Sequence, residues 1–364
     1  MKYSFGDLVE LVDEANENLE LGINDVVGCT IDKRLIPTIA NLIQTDLKKY
    51  IIVKPNYFVM NPRTHGVKIG FGYNSTNKSF LATWNNYVFR VKKGMESIVS
   101  SDFLALYFLR DEFDREAVFK SWGSSTIVFL WDSFAEMKIE IPSMDKQKAV
   151  LKQYKAVTKR IETLGKINDN LEAQAYTYYQ DKISDKDKDS TLSDLAIITM
   201  GTSPDGESFN DIGNGVVFYQ GRTDFGFRFP TIRLYTTEPK RFAEKNDILM
   251  SVRAPVGDIN IAKEYCAIGR GLASIRPKDG CYSFLYYTLK QLNHELQRFN
   301  DDGTVFGSIT KDDLFALKIV SLSEEDRQQF DAKISKIDAL IKDNEMEIAN
   351  LELACSLLLS QLAN

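Results

Sequence analysis

Residues 334–362 read ISKIDALIKDNEMEIANLELACSLLLSQL, and their apolar residues recur in steps of three and four. The positions of this stripe are Ile334, Ile337, Ile341, Asn344, Ile348, Leu351, Cys355, Leu358 and Leu362. A narrow stripe over about four heptads is typical of a coiled-coil seam. Its one polar member, Asn344, would fix the helix register at some cost in stability. The segment 323–364 is therefore predicted to be a long helix that packs against another helix.

A second stripe of the same kind precedes it in the chain. Its positions are Val150, Tyr154, Val157, Ile161, Leu164, Asn168, Leu171, Ala175 and Tyr178. The two stripes coincide when the sequence is displaced against itself by one constant step, which matches Tyr154 with Ile334, Ile161 with Ile341, Leu171 with Leu351 and Tyr178 with Leu358. We predict a first long helix over 143–182 that pairs with the second. The alternative, that each helix packs on its own domain, stays open.

A similar displacement relates the segments that precede the two helices. The corresponding segments are 5–8 (FGDL) and 192–195 (LSDL), 58–60 before Arg63 and 248–250 before Arg253, 87–91 and 273–277, 103–109 and 283–289, and the loops 123–126 and 303–308. Identities are few, so the repeat is one of pattern. It predicts two similar globular domains, each followed by a long helix.

Short β-runs alternate with one or two helices inside each repeat, which indicates an α+β fold. The β-runs are 50–53, 82–91, 216–220, 247–252 and 267–275. We predict domain 1 at 1–142, a first spacer helix at 143–182, a linker at 183–191, domain 2 at 192–322 and a second spacer helix at 323–364. Fully extended, the linker reaches about 30 Å, less than the roughly 50 Å of the first helix. The expected arrangement is therefore an antiparallel coiled coil with a pseudo-twofold relation between the repeats.

The composition is that of an ordinary globular protein, with 44% hydrophobic and 26% charged residues. No apolar run suits a membrane span or a secretory signal, and the four cysteines form no CxxC pair. A cytoplasmic location without a metal site or a disulfide framework is expected. Most of the net charge of −6 lies in 323–364, a segment that contains nine acidic and four basic residues. The remainder is nearly neutral, so DNA binding is permitted if basic groups share one face.

Two similar but different domains at a fixed separation suit a ligand with two spaced half-sites, and DNA is the obvious candidate. In domain 2, a small-residue loop is expected to bring backbone N–H groups close to a phosphate, and long polar side chains beside glycines are expected to reach base edges. The candidate DNA-binding residues of domain 2 are Gly201, Thr202, Ser203, Gln220, Arg222, Arg253, Gly257 and Arg270. Those of domain 1 are Lys33, Arg34, Arg63 and Asn85, with His65, Trp84 and Asn86 beside them.

The arrangement resembles the specificity subunits of type I restriction–modification systems, in which two target-recognition domains alternate with two helices. The segments similar to that family are Gly201-Thr202-Ser203-Pro204, Gln220-Gly221-Arg222, 247–253 (DILMSVR) with Pro255-Val256-Gly257, and 267–273 (AIGRGLA). The resemblance covers essentially the whole chain. Domain 1 departs from it, because it has neither a Gly-Thr-Ser-Pro loop nor an Arg-Ala-Pro-Val-Gly segment.

The resemblance implies a non-catalytic subunit that reads a bipartite DNA site. Its implied partners are double-stranded DNA, two modification (methyltransferase) subunits and restriction (motor-nuclease) subunits. No cofactor is expected in this chain, whereas S-adenosylmethionine is expected in the partner methyltransferase. The recognition subunit of a related system, whose partner fuses methylation and cleavage, is an alternative. A coiled-coil scaffold that binds only protein is another.

The residues themselves give little support to an enzyme. Asn61-Pro62-Arg63 lacks the second proline and the aromatic residue of an adenine-methyltransferase motif, and the chain has no Walker A loop. His65 and His294 have no cysteine or acidic partner that would indicate nucleophilic catalysis. We therefore predict no catalytic residues and no metal ligands.

Overall fold

The computed structural model describes residues 1–38, 42, 45–64, 68–123, 127–296, 298–301 and 307–363. The chain divides into two compact units, Met1–Glu162 with Ala349–Asn364, and Thr163–Ile348. Each long helix thus contributes one part to each unit. The predicted loops at 123–126 and 303–308 and the predicted residue His65 lie wholly or partly outside the described residues.

The described part of the first unit contains short strands and short helices before its long helix begins. The strands are β1 (Lys2–Ser4), β2 (Val9–Leu11), β3 (Val27–Cys29), β4 (Leu35–Pro37), β5 (Ile51–Val53), β6 (Phe58–Thr64), β7 (Ile69–Tyr73), β8 (Phe80–Ala82), β9 (Tyr87–Val91) and β10 (Lys138–Glu140). The helices are α1 (Phe5–Leu8), α2 (Ser101–Phe108), α3 (Asp111–Phe119), α4 (Trp131–Glu136) and the long α5 (Met144–Ile183). Short 3-10 turns cover Ile23–Asp25 and Leu47–Lys49.

The second unit repeats this element order with one larger sheet added. The strands are β11 (Ser190–Thr191), β12 (Ala196–Met200), β13 (Phe209–Asn210), β14 (Val216–Tyr219), β15 (Leu234–Thr236), β16 (Phe242–Ala243), β17 (Ile248–Ser251), β18 (Ile259–Ile261), β19 (Cys266–Ile268), β20 (Leu272–Pro277) and β21 (Lys318–Ile319). The helices are α6 (Leu192–Leu195), α7 (Tyr282–Leu296), α8 (Arg298–Asp301), α9 (Lys311–Phe315) and the long α10 (Glu324–Ser360). The 3-10 turns are Gly206–Ser208, Arg222–Asp224 and, after α10, Gln361–Ala363.

A four-stranded antiparallel sheet is common to both units. Its strand order is β2-β9-β6-β7 in the first unit and β12-β20-β17-β18 in the second. A two-stranded ladder accompanies it in each, β1 with β10 and β11 with β21. The second unit adds a sheet of order β13-β15-β14-β19-β16, in which β14 and β19 run parallel. The α+β class and the internal repeat predicted from the sequence are confirmed.

One-turn helices open the two repeats in the same way. In α1 the Ser4 hydroxyl accepts the Asp7 N–H (3.1 Å), and the Asp7 carboxylate accepts the Ser4 N–H (2.7 Å). In α6 the Asp194 carboxylate likewise accepts the Thr191 N–H at 2.9 Å. Such a capping box satisfies amide groups that a helix start leaves unpaired. The FGDL and LSDL segments are thus equivalent in structure as well as in pattern.

Two of the predicted β-runs are broken by loops. The run 82–91 is interrupted between β8 and β9, and the run 267–275 is interrupted between β19 and β20. In the second unit the interruption is Gly269-Arg270-Gly271, and it lets the chain leave one sheet and enter the other. Both loops carry predicted DNA-binding residues.

The long helices run antiparallel where the second unit contains both of them. The Asn344 amide donates a hydrogen bond to Asn168 Oδ1 (2.7 Å), and Asn168 donates to Glu345 (3.1 Å). Further along, the Tyr178 ring stacks on Phe330 with centroids 5.6 Å apart. The two polar residues of the predicted seams therefore bond to each other, and the predicted helix pairing is confirmed in this unit.

Both long helices also pack on the globular part of the second unit. Ala175 and Tyr179 of α5, and Phe330 and Ile334 of α10, belong to the same buried cluster as the strands and α7. In the first unit Leu151 of α5 and Leu362 near the C-terminus join the aromatic core around Phe5 and Phe134. Helix pairing and packing on a domain therefore occur together, because each helix is wide enough to bury two adjoining faces.

Candidate nucleic-acid interface

One edge of the four-stranded sheet in the second unit collects several chain segments. Neighbouring strands run antiparallel, so the ends of β12 and β17 lie beside the beginnings of β20 and β18. The segment 201–203 follows β12, 269–271 precedes β20, and 253–257 joins β17 to β18. The structure therefore brings together segments that are distant from one another in the sequence.

The segment Gly201–Ser203 is tied to the loop before β20. The Gly201 N–H donates to the Leu272 carbonyl (2.9 Å), and the Thr202 N–H donates to that of Ile268 (3.1 Å). The Ser203 hydroxyl accepts the Arg270 N–H at 3.2 Å. The predicted use of backbone N–H groups for a phosphate is wrong for Gly201 and Thr202, because the fold already pairs these two amides. The exposed Thr202 side chain remains available.

The five-stranded sheet places Gln220 at the same sheet edge, beside the loop that precedes β20. Because β14 and β19 are parallel neighbours, the residues that follow them, Gln220 and Gly269, emerge side by side. Asp224 holds the turn by accepting the Gln220 N–H at 2.7 Å. The Gln220 side chain is exposed. Arg222 is exposed as well, but it forms an ion pair with Asp258 at 2.6 Å.

The loop Arg253–Gly257 is fixed from several sides and contains a cis peptide bond between Ala254 and Pro255. The Ser251 hydroxyl donates to the Pro255 carbonyl (2.7 Å), and the Asn293 amide donates to that of Gly257 (3.1 Å). Gly257 is buried with a φ of +102°, a conformation that favours glycine. Its place is therefore structural, and it supports Arg253 at the other end of the loop.

Arg253 and Arg270 are the cations best placed to meet a ligand at this edge. Both are exposed, and neither side chain has an ion-pair or hydrogen-bonding partner among the residues that the structure describes. Arg253 lies opposite Ser308 in an isolated β-bridge. Guanidinium groups of this kind match guanine edges and phosphates.

The equivalent edge of the first unit contains predicted residues of domain 1. Arg63 lies in β6 opposite Val128, in a bridge that corresponds within the repeat to that of Arg253 with Ser308. Asn85 lies in the loop before β9 and accepts a hydrogen bond from the Thr83 hydroxyl. Arg34 follows β3 and is exposed, as are Arg63 and Asn85. All three side chains are thus accessible to a ligand.

Lys33 does not join this accessible group. Its ammonium donates to Asp114 (2.5 Å) and to the Ile69 carbonyl (2.7 Å), and its side chain is 6% exposed. Burial lowers the pKa of Lys33, while the bond to Asp114 opposes that shift. The ammonium is therefore committed to the fold, and we omit Lys33 from the proposed contacts.

Comparison with known proteins supplies the context for these edges. The family model described as "Type I restriction modification DNA specificity domain" matches residues 185–353. A putative type I restriction enzyme specificity subunit (MjaX) from Methanocaldococcus jannaschii is 28% identical over 359 residues, covering 91% of this chain and 83% of that protein. Residues 185–353 thus match a DNA specificity domain of type I restriction–modification systems, and the chain as a whole is similar to a specificity subunit of such a system.

Two further proteins similar to this chain are informative. The type I restriction enzyme MjaIX specificity subunit of the same organism is 32% identical over 114 residues, 31% of this chain and 26% of that protein. The crystal structure of a type I system S subunit from M. genitalium matches with a TM-score of 0.59 at 15% identity, covering 100% of this chain and 96% of that chain. At this identity the match shows the fold.

Sequence reasoning missed two arginines of the second unit. Arg241 is exposed, and its carbonyl accepts the Ile268 N–H, which places it beside Gly269. It therefore lies at the sheet edge formed by 201–203, 253–257 and 269–271, called the recognition edge below. Arg228 is 1% exposed, and its carbonyl accepts the Ile261 N–H at 2.9 Å, at the end of β18 away from this edge. The sequence around Arg228, FGFRFP, gives a weak signal, since a cation between phenylalanines in a loop needs buried partners.

Arg228 is the centre of a buried charge cluster inside the second unit. Its guanidinium donates to Asp338 of α10 (2.9 Å) and to Glu172 of α5 (3.2 Å), and it stacks over Tyr286 at 4.1 Å. Burial lowers the pKa of Arg228, but the surrounding Tyr286, Tyr287, Asp338 and Glu172 outweigh it and raise the pKa above its ordinary value. The cluster joins the loop after β14 to both long helices.

Metal-binding clusters and membrane-spanning helices are absent from the part of the chain that the structure describes. No group of three or more metal-binding side chains occurs in the described part of the chain. Within the same part, every helix is too short or too polar to cross a membrane. The four cysteines are free thiols.

Proposed function

We propose that this chain is the DNA-specificity subunit of a type I restriction–modification system and reads a bipartite, asymmetric DNA sequence, with one half-site contacted by each sheet edge. The proposal rests on one observation, which is that both units contain an equivalent sheet edge. In each unit the same strand ends expose an arginine from an equivalent β-bridge, Arg63 in the first and Arg253 in the second. Two similar edges with different side chains suit two different half-sites.

The proposed contact set in the second unit is centred on Arg253 and Arg270, whose side chains have no partner among the described residues. Arg253 and Arg270 would contact base edges or phosphates, with the exposed side chains of Gln220 and Thr202 beside them. Gly201, Gly257 and Ser203 would act by shaping the loops. Arg222 forms an ion pair with Asp258 through Nε, so a contact of its guanidinium with a phosphate would share or replace that pair. In the first unit the proposed contacts are Arg34, Arg63 and Asn85.

The proposed partners are two modification subunits and, for cleavage, restriction subunits. S-adenosylmethionine would be held by the modification subunits, and methylation would take place there. The name of the M. jannaschii relative supports a restriction-enzyme assembly in general. The comparisons give no preference to a partner that fuses methylation and cleavage, or to a scaffold that binds only protein.

The experiment is to assemble the chain with its modification subunits and map methylated adenines by sequencing. Arg253→Ala and Arg270→Ala should relax one half-site and leave the other unchanged, because each good base contact contributes about 1–3 kcal/mol of discrimination. Lys263→Ala is the matched control, since Lys263 is an exposed cation beyond the opposite end of β18. Lost assembly with an unchanged motif in both arginine variants would contradict the proposal.

A further inference from the structure

We infer that Trp122 is a specificity-determining DNA contact of the first domain, acting beside Arg63. The inference deepens the proposed function and rests on it. It concerns two large aromatic side chains that are exposed and do not belong to the buried core of the first unit. Trp122 is 68% exposed, and Phe119, three residues earlier, is 87% exposed.

A short ribbon places Trp122 next to the recognition edge. The Trp122 N–H donates to the Val128 carbonyl (3.1 Å), and the Val128 N–H donates to that of Trp122 (3.0 Å). On its other side Val128 lies opposite Arg63, between the bonds from Thr64 N–H to the Ile127 carbonyl (3.0 Å) and from Phe129 N–H to the Pro62 carbonyl (2.7 Å). Trp122 and Arg63 thus flank the same residue.

Pairing geometry fixes the direction of these side chains. Residues directly opposite each other in an antiparallel ladder point to the same face. Arg63, Val128 and Trp122 therefore share one face, with the Cα atoms of Arg63 and Trp122 about 10 Å apart. That distance corresponds to about three base pairs of duplex, so one half-site is long enough to meet both side chains.

The chemistry of an indole at this position favours DNA. Isolated exposed apolar residues are common on protein surfaces, but a large aromatic ring beside an unburied arginine is characteristic of interfaces. Aromatic and apolar side chains contact thymine methyl groups, stack on bases or enter between base steps, and these contacts depend on sequence. The position is continuous with Arg63, whose counterpart Arg253 lies at the recognition edge of the second unit. A protein partner would also accept an exposed tryptophan, and the test separates the two.

The test uses the chain assembled with its modification subunits and a duplex that carries its mapped methylation site. Trp122→Ala should weaken binding to this duplex about tenfold, since aromatic contacts to bases are of that size. The dependence of binding on salt should stay unchanged, because the indole carries no charge. Arg63→Ala should instead make the salt slope shallower by about one. Trp122→Phe should retain most of the binding.

Mapping methylated adenines for the same variants supplies the second measurement. Trp122→Ala should relax the half-site that Arg63→Ala also relaxes, and leave the other half-site intact. Ile212→Ala is the matched control, because Ile212 is 84% exposed in the turn before β14, at the end opposite Gln220. It should change neither binding nor motif.

Two results would overturn the inference. One is a Trp122→Ala complex with wild-type affinity and motif. The other is a Trp122→Ala chain that no longer assembles but whose residual methylation keeps the wild-type motif, which would assign Trp122 to a protein partner. If the wild-type complex itself had no sequence preference, the proposed function would fail instead. The failures of the two proposals are therefore distinguishable.

Discussion

At Gly201 an added methyl group would lie 2.2 Å from the Gly269 carbonyl oxygen and 2.8 Å from that of Leu272. Both are backbone atoms, so the clash cannot be relieved by turning a side chain. The φ of Gly201 is not in the left-handed region, which means that close approach, and not backbone conformation, requires glycine here. The two loops that meet at the recognition edge depend on this approach.

Gly201→Ala should therefore destabilise the second unit by about 1–3 kcal/mol, as overpacking usually does. It should also weaken DNA binding, because the loop that contains Arg270 must move. Gly206→Ala is the control, since a methyl group there would meet nothing within 4 Å. Thermal unfolding of the full chain checks the prediction. Equal melting temperatures for the two variants would contradict it.

At the scale of elements, Arg228 connects the loop after β14 to both long helices. Arg228 bonds to Asp338 and Glu172, and the Ser283 hydroxyl at the start of α7 donates to the other Asp338 oxygen (2.6 Å). Lys290 of α7 also pairs with Glu172. Removing one member of such a buried cluster leaves the others desolvated without a partner.

Arg228→Met should destabilise the second unit by about 3–5 kcal/mol, because Asp338 and Glu172 lose their shared cation. Arg228→Lys should be intermediate, since an ammonium cannot reproduce the planar donor pair or the stacking on Tyr286. Lys54→Ala, which breaks the exposed pair with Glu14, should cost less than about 1 kcal/mol. Hydrogen exchange of the amides of β14, α7 and α10 measures the effect. Unchanged protection in Arg228→Met would argue against the cluster's role.

For the whole molecule, the sequence predicts that the paired helices set the distance between two half-sites. Both helices pass from one compact unit into the other, α5 after Glu162 and α10 after Ile348. Seven residues inserted at each of these points keep the stripes in register and add about 10 Å, which equals about three base pairs. The preferred spacer should lengthen by about that amount in the methylation map.

An insertion in α5 alone is the control for this prediction. It would lengthen one helix but not its partner, so α5 and α10 could not stay in register on both sides of the insertion; it should therefore impair folding or assembly and should not give a longer spacer. A paired insertion that keeps the original spacer would exclude the helices as the determinant of spacing.

The sequence by itself determined the α+β class, the internal repeat, both long helices and the resemblance to the family. These properties are visible in local signals: a stripe with a period near 3.5, the FGDL and LSDL segments that open the two repeats, and glycine-containing motifs in a fixed order. Asn168 and Asn344 were identifiable as seam residues because a polar residue interrupts an apolar stripe. The spacing of the apolar residues can be recognised without knowing what a helix packs against, because it arises from the geometry of the helix itself.

Tertiary structure alone decided which polar groups are available for a ligand. Lys33 and Arg63 are alike in sequence terms, yet Lys33 is committed to Asp114 and Arg63 is exposed. The segment around Arg228 gives only a weak local signal of its burial between two helices, and no local signal marks Trp122 as exposed beside Arg63. Burial and pairing depend on groups that are distant in the sequence, and a chain brings such groups together only when its strands and helices have packed.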